Sequence, residues 1–289
     1  MKKLYSFLAD FLITLFSAVT LFASVLLVPA SIPVFIDTGL PSLAEAGVVP
    51  APGGRLQSKP SKTSMTTTFT MEDLGTLGIT SEGSYVNDSG DVTGVNNYGG
   101  NPSVFRTFLY RNGQMTDIGT LPGATQSFPA GINSNGDLAG TSTGSISHAF
   151  LYRDGVMTDL GTFGGSTSAA SGISDNGDVV GAARTTNDFA QIAFVYRNGV
   201  LNNLGTLGGR NSIAIAINSN GDVVGDAQIA DGSQHAFLYR NGVMTDLGTL
   251  GGSSSQALAM NAAGDVVGRS YLAGDIIEHA FVYRNGQMT

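Results

Sequence analysis

The chain has 289 residues, a net charge of −8, no cysteine and no tryptophan. The negative charge disfavours nucleic acid as a partner, because that binding needs a positive surface to release phosphate counterions. The absence of cysteine excludes disulfides, thiol catalysis and cysteine-ligated metal centres, so packing alone must hold the fold.

The N-terminal segment, residues 1–46, has the features of a signal peptide or a membrane anchor. Lys2 and Lys3 precede a run without charge from Phe11 to Ile36, and Ala44-Glu45-Ala46 offers a site for signal peptidase. The run exceeds the usual signal core of about 7–15 residues and could span a bilayer, so both interpretations stay open. Either one predicts that the rest of the chain is secreted, periplasmic or at the cell surface, with membrane contact only through this segment. The mass of the mature N-terminus distinguishes them.

Residues 47–66 form a second segment, rich in proline, serine and threonine and without periodic apolar residues. This composition predicts a disordered spacer. The remainder, residues 67–289, is predicted to be one repeat domain.

Five repeats organise this domain, and each contains two hairpin signals. In the last repeats, Asn241-Gly242 separates two apolar runs, and Asn218 and Gly221 lie in a second turn between Ala216 and Gly225. The repeats start 42–44 residues apart, near Asp73, Asp117, Asp159, Asn203 and Asp246.

Four short strands in each repeat of this length are typical of a propeller blade. We therefore predict an all-β fold, a five-bladed β-propeller of four-stranded antiparallel blades. An open β-repeat solenoid is the alternative. The segment Thr67 to Leu74 copies the last strand of a repeat, so it could complete the final sheet and close the ring.

The repeated motifs resemble the HAF family of extracellular repeats. His-Ala-Phe recurs at His148, His235 and His279, together with Asp-Leu-Gly-Thr-Leu-Gly-Gly and Asn-x-x-Gly-Asp-Val-Val-Gly elements. The resemblance covers about residues 73–289 and departs from the pattern at Arg106 and Ile192, where the histidine is missing. It implies an exported bacterial protein with a propeller-like repeat fold, and it supplies no catalytic residues.

The repeated side chains are better explained by roles in folding than by catalysis or metal binding. The three histidines lie in different repeats beside aromatic residues, so packed, hydrogen-bonded roles are expected and no metal site is predicted. The repeated Phe and Tyr of the same strand are interpreted as core (Phe108, Phe150, Phe194, Phe237, Phe281, Tyr110, Tyr152, Tyr196, Tyr239, Tyr283). The repeated turn carboxylates are expected to accept backbone N–H bonds (Asp91, Asp137, Asp178, Asp222, Asp265).

Segments between the hairpins vary from repeat to repeat, and such loops commonly carry function. They suggest a contact surface made of Asn96, Tyr98, Asn101, Asp188, Phe189, Asp231, Tyr271 and Asp275. We expect a non-catalytic binding or scaffolding module without a cofactor, whose partner is a glycan or an envelope protein. Calcium binding in the loops has no support from a motif.

Two other functions remain open. One is an enzyme resembling a glycoside hydrolase, with an acid pair drawn from Asp188, Asp231, Asp275 and Glu278. The other is a purely structural repeat of the cell envelope.

Overall fold

The computed structural model describes residues 71–289. The predicted export segment, the spacer and residues 67–70 lie outside the described residues. Within them the protein is all-β, with antiparallel sheets and a single 3-10 turn at Thr186–Asp188. No helix in residues 71–289 is long and apolar enough to cross a bilayer.

The strands form five antiparallel meanders of four strands each, which we call modules. The first contains β1 (Ser81–Val86), β2 (Val92–Asn97), β3 (Phe105–Arg111) and β4 (Gln114–Asp117). The second contains β5 (Ala124–Ile132), β6 (Leu138–Gly144), β7 (Ser147–Arg153) and β8 (Val156–Asp159). The third contains β9 (Gly164–Ile173), β10 (Val179–Thr185), β11 (Gln191–Arg197) and β12 (Val200–Gly205).

The fourth module contains β13 (Gly208–Ile217), β14 (Val223–Ile229), β15 (Gln234–Arg240) and β16 (Val243–Asp246). The fifth contains β17 (Gly251–Met260), β18 (Val266–Leu272), β19 (Glu278–Arg284) and β20 (Gln287–Met288). The described strands make four sheets, because one parallel pair, Ser147 with Thr167, joins the second and third modules into an eight-stranded sheet.

Turn and glycine chemistry explains why each repeat folds into this meander. Asn241 and Gly242 both have positive φ angles, 52° and 82°, as the tight turn between β15 and β16 requires. Asn218 accepts hydrogen bonds from the backbone N–H groups of Asn220 and Asp222, which closes the turn between β13 and β14. At Gly225 a Cβ atom would overlap the carbonyl oxygen of Ile213, so only glycine allows the strands to approach there.

Apolar side chains fill the four interfaces between consecutive modules. Between the third and fourth modules, Val180 and Val195 pack against Val223 and Phe237, and the other three interfaces use equivalent residues. The five repeated phenylalanines are at most 3% exposed, which confirms their assignment to the core. The five repeated tyrosines of the same strand are half-buried.

A buried serine links consecutive modules at each of these four interfaces. Between the third and fourth modules, the Ser212 hydroxyl accepts a hydrogen bond from the Ala193 N–H at 2.9 Å and donates to the Gly205 carbonyl at 2.5 Å. Ser127, Ser168 and Ser255 make the same two bonds at the other interfaces. Each serine thus accepts a hydrogen bond from a backbone N–H of the third strand of the preceding module, which would otherwise be buried without a partner.

We expect Ser212→Ala to lower the free energy of unfolding by about 1–3 kcal/mol, because the buried Ala193 N–H loses its acceptor. Chemical denaturation measures the change. Ser145→Ala removes a hydroxyl from an exposed serine and serves as the matched control. Equal stability of the two variants would show that the serine bond contributes nothing.

Within residues 71–289, the two terminal modules each have one face that no other module covers. Val267 of the fifth module is 46% exposed, whereas its equivalent in the fourth module, Val224, is fully buried. In the first module, Val86 is 66% exposed. Of the segment predicted to close the ring, Met71–Leu74 is described and does not form a strand, and Glu72 accepts a hydrogen bond from the Tyr110 hydroxyl of the first module.

Candidate functional site

The repeated turn carboxylates pair with arginines, which corrects the expectation that they accept backbone N–H bonds. In the fourth module, Arg240 Nη2 lies 2.8 Å from Asp222 Oδ2, and every other module has the same pair. The Arg240 hydrogen bond is the main cause that lowers the pKa of the Asp222 carboxyl. The third strand carries the arginine, and the aspartate immediately precedes the second strand, so the pair links two neighbouring strands of one module.

Two of the three repeated histidines have carboxylate partners. His148 Nδ1 lies 2.8 Å from Asp159, and His235 Nδ1 lies 2.9 Å from Asp246. His279 of the fifth module is exposed. Among residues 71–289, no three histidine or acidic side chains lie close enough to hold a metal ion.

The eight residues predicted as a contact surface lie at the connections between the second and third strands of the first, third, fourth and fifth modules. Asn96 is 1% exposed within β2 and donates to the Arg106 carbonyl, so its place on an exposed loop was wrong. Tyr98 lies under the Arg106 guanidinium, and Phe189 lies under that of Arg210. Exposed Asn101 accepts a hydrogen bond from the Ser103 N–H and forms a local turn.

The acids proposed as a catalytic pair lie in three modules, and Asp275 and Glu278 lie at the same connection, between β18 and β19. Asp188 accepts two hydrogen bonds from Ser166, Asp231 accepts one from Ser233, and Asp275 accepts one from Ser253. Each of these three carboxylates therefore stabilises the loops of its own module through hydrogen bonds. Of the proposed acids, Glu278 alone lines a cavity described below.

A polar cavity of about 240 Å³ lies where the fourth and fifth modules meet. Arg269 is one of its lining residues. Its Nε donates a hydrogen bond to the Gln256 side-chain oxygen at 2.7 Å, and its Nη1 lies 3.4 Å from Glu278 Oε2. The lining residues are Gln234, Ser254, Ser255, Gln256, Arg269, Tyr271 and Glu278. Tyr271 is thus the predicted contact residue that does reach a cavity. A second cavity, between the third and fourth modules, is lined mostly by residues that recur in every repeat.

Asp226 is buried directly behind the wall of the first cavity. It is 6% exposed, and its carboxylate accepts hydrogen bonds from the Ala257 N–H at 2.9 Å and from Gln234 Nε2 at 3.4 Å. Burial raises the pKa of the Asp226 carboxyl to about 7, although the Ala257 bond and the Arg269 charge act in the opposite direction. A carboxyl with such a pKa changes its charge near neutral pH.

The other repeats show that the fold does not require this carboxyl. The equivalent residue of the second module is Thr141, whose hydroxyl accepts the equivalent N–H bond, from Ala170 at 3.2 Å. The first and third modules have Val95 and Ala182 there, and the fifth has Arg269. Asp226 is therefore a charge added at a position where an uncharged residue suffices, which marks the adjoining cavity as a candidate site.

Comparison with known proteins bears on the fold. No family model and no curated protein match the sequence. Solved structures that are similar include dipeptidyl peptidase 4 from Porphyromonas gingivalis (12% identity, TM-score 0.47), covering 64% of this chain and 29% of that enzyme. A puromycin hydrolase mutant has 12% identity and a TM-score of 0.47, covering 70% of this chain and 35% of that one. The β-propeller domain of the trilobed protease from Pyrococcus furiosus has 9% identity and a TM-score of 0.38, covering 73% and 82%.

These similar structures agree with the all-β, propeller-like class of the fold. The prediction of a non-catalytic binding or scaffolding module for a glycan or envelope protein is not borne out: the similar structures include a peptidase and a hydrolase, and at these identities they assign no function to this chain.

Proposed function

We propose that the cavity between the fourth and fifth modules binds a small polar molecule with an anionic group. The observation that carries the proposal is the buried Asp226 carboxyl behind a cavity that also presents the Arg269 guanidinium. A guanidinium offers a fork of donors that matches a carboxylate or phosphate. In this protein the Arg269 guanidinium donates hydrogen bonds to Gln256 and Glu278, which line the same cavity.

The charge state of Asp226 would control this binding. Below its pKa the Asp226 carboxyl is neutral, and the Arg269 charge is opposed by Glu278 alone. Above that pKa a second negative charge lies behind the wall, and an anionic ligand is repelled. The affinity for an anion should therefore fall as the pH rises from 6 to 8.

Titration calorimetry with acetate, succinate and inorganic phosphate tests the site. We expect Arg269→Gln to weaken binding of the best of these anions by roughly 10- to 100-fold, since charged hydrogen bonds contribute about 1.5–3 kcal/mol. Arg210→Gln, which changes an arginine that stacks on Phe189, is the matched control.

Asp226→Asn should bind acetate equally well at pH 6 and pH 8, because acetate keeps a single charge over that range. Unchanged affinity in the Arg269 variant, or no binding of any of the three anions, would contradict the proposal. Mass spectrometry of the same mixtures shows whether the bound molecule is converted.

We also propose that the five modules are blades of a propeller-type array, as the sequence periodicity and the HAF resemblance suggest. The four interfaces with one repeated residue pattern support this view. A closed ring was the main prediction and an open array its alternative; within residues 71–289, the exposure of Val86 and Val267 on the terminal modules supports the open array.

A further inference from the structure

Asparagine followed by glycine occurs seven times in the chain, and the structure divides these dipeptides into two classes. Four of them, which we call the open turns, form the tight turns between the third and fourth strands of a module (Asn112-Gly113, Asn198-Gly199, Asn241-Gly242, Asn285-Gly286). The other three, which we call the covered turns, lie between the first and second strands (Asn135-Gly136, Asn176-Gly177, Asn220-Gly221).

The asparagine side chains of the covered turns are held by hydrogen bonds. Asn220 Nδ2 donates to the Ala262 carbonyl of the next module at 2.9 Å, and Asn135 and Asn176 make the equivalent bonds. In the open turns all four asparagines are exposed, and none of their side chains has a hydrogen-bond partner among residues 71–289. The side chains of the open turns can therefore rotate towards their own backbone.

The glycines of the two classes differ in the same way. The Gly221 N–H donates to the Asn218 carbonyl at 3.0 Å, and a Cβ atom built on Gly221 would overlap the Arg197 guanidinium. The other two covered turns have the same bond and the same arginine cover. At Gly242 the N–H has no acceptor within residues 71–289, and a Cβ atom would meet nothing within 4 Å. The glycines of the other open turns are equally uncovered.

Rotation of the asparagine side chain and an uncovered glycine nitrogen are the two conditions for deamidation. The glycine nitrogen gives its proton to the solvent and attacks the side-chain amide carbon. The amide nitrogen takes up a proton and leaves as ammonia, and a succinimide ring forms. Water then opens the ring to give aspartate or isoaspartate. Glycine favours the attack because it has no side chain that blocks the approach.

The second module shows that the fold accepts the product at an open turn. Its third and fourth strands are joined by Asp154-Gly155, with φ angles of 52° and 79°, which match the 52° and 82° of Asn241-Gly242. The Asp137 bond is the main cause that raises the pKa of Arg153, and the Asp154 charge adds to it. An arginine also precedes the asparagine of every open turn. An aspartate formed there would therefore meet a favourable charge.

We propose that the asparagines of the four open turns are modification sites, which deamidate in the folded protein while those of the covered turns stay intact. Each conversion adds one negative charge, so conversion of all four changes the net charge from −8 to −12. The array thus carries its own sites for a slow, spontaneous increase in negative charge.

Peptide mapping by mass spectrometry tests the proposal. The full chain is incubated at pH 8 in water enriched in oxygen-18, and samples are taken over several weeks. Ring opening places one solvent oxygen in the product, so the heavy oxygen marks conversion during the experiment. We expect Asn198 and Asn241 to convert at least about tenfold faster than Asn176 and Asn220, because the covered turns must first break two hydrogen bonds.

A sample unfolded in urea provides the reference, because all seven sites share the Asn-Gly pair. We expect similar rates at the seven sites in that sample. Equal rates of the two classes in the folded protein would overturn the proposal. Open turns that stay intact while the unfolded sample converts would overturn it as well.

Two variants that imitate the product give an independent measure. Asn241→Asp should keep the Tm and the circular dichroism spectrum of the unmodified protein, as Asp154 indicates. Asn220→Asp should lower the Tm, because a carboxylate cannot donate to the Ala262 carbonyl. Equal melting temperatures of the two variants would contradict the division into two classes.

Discussion

Asp226→Asn is expected to raise the free energy of unfolding at pH 8 by up to about 4 kcal/mol, and to change it little at pH 4. Burial raises the pKa of Asp226 from 3.8 to about 7 in the folded protein. Well below a pH of 3.8 the carboxyl is protonated in both the folded and unfolded states, so its burial costs no ionisation energy. As the pH rises from there to about 7, the unfolded state ionises while the folded state keeps its proton, and stability is lost at about 1.4 kcal/mol for each pH unit; above about pH 7 the loss is complete.

Urea denaturation of both proteins at pH 4, 6 and 8 measures this effect. Asparagine can still accept the Ala257 N–H bond, so the variant isolates the charge. Asp222→Asn is the opposite control, because the Arg240 bond lowers the pKa of Asp222. The stability from that pair is present above pH 4 and is lost as the pH falls through the lowered pKa, so this variant should be the less stable protein at pH 8. A destabilised Asp226 variant at pH 8 would contradict the burial argument.

Phe194→Ala is expected to lower the free energy of unfolding by about 3–5 kcal/mol. The Phe194 ring is fully buried between the second and third modules, against Ala139, Ala149 and Leu151. Truncation leaves a cavity in the middle of the array, where modules on both sides limit collapse. Chemical denaturation measures the loss.

Phe189→Ala is the matched control for that substitution. Phe189 is 65% exposed and contacts the Arg210 guanidinium, so its loss should cost at most about 1 kcal/mol. Equal losses in the two variants would show that Phe194 is not an interface residue.

Local turn chemistry made the meander predictable from sequence. Asn241-Gly242 and the Asn218 to Gly221 turn fold as expected, because positive φ angles and side-chain turn bonds depend on residues a few positions apart. The burial of the repeated phenylalanines was predictable for a related reason. A bulky residue kept in the same register of every repeat meets the same neighbour each time.

Two repeated interactions have a signal in the sequence, although neither was predicted from it. Serine stands at one register in all five repeats, at Ser81, Ser127, Ser168, Ser212 and Ser255. Arginine likewise follows the repeated tyrosine throughout, in register with the turn aspartates. A polar residue repeated this strictly indicates a polar partner that is repeated as well.

The candidate site could not be predicted in the same way. Asp226 differs from Val95, Thr141, Ala182 and Arg269 at the equivalent positions, so no pattern predicts it. Its pKa depends on burial by the following module, which is a tertiary effect. The variability of the loops led to the prediction that Asp188 and Asp275 are contact residues. Both carboxylates instead accept hydrogen bonds from nearby serines.

Consecutive modules, we conclude, are joined by a repeated serine bond to an otherwise unpaired backbone N–H. Amide hydrogen exchange, resolved for single residues by NMR, tests this conclusion most directly. We expect slow exchange at Ala149, Ala193 and Ala236, and in Ser212→Ala much faster exchange at Ala193 alone. Exchange of these three amides as fast as that of the exposed loop residue Asn101 would contradict it.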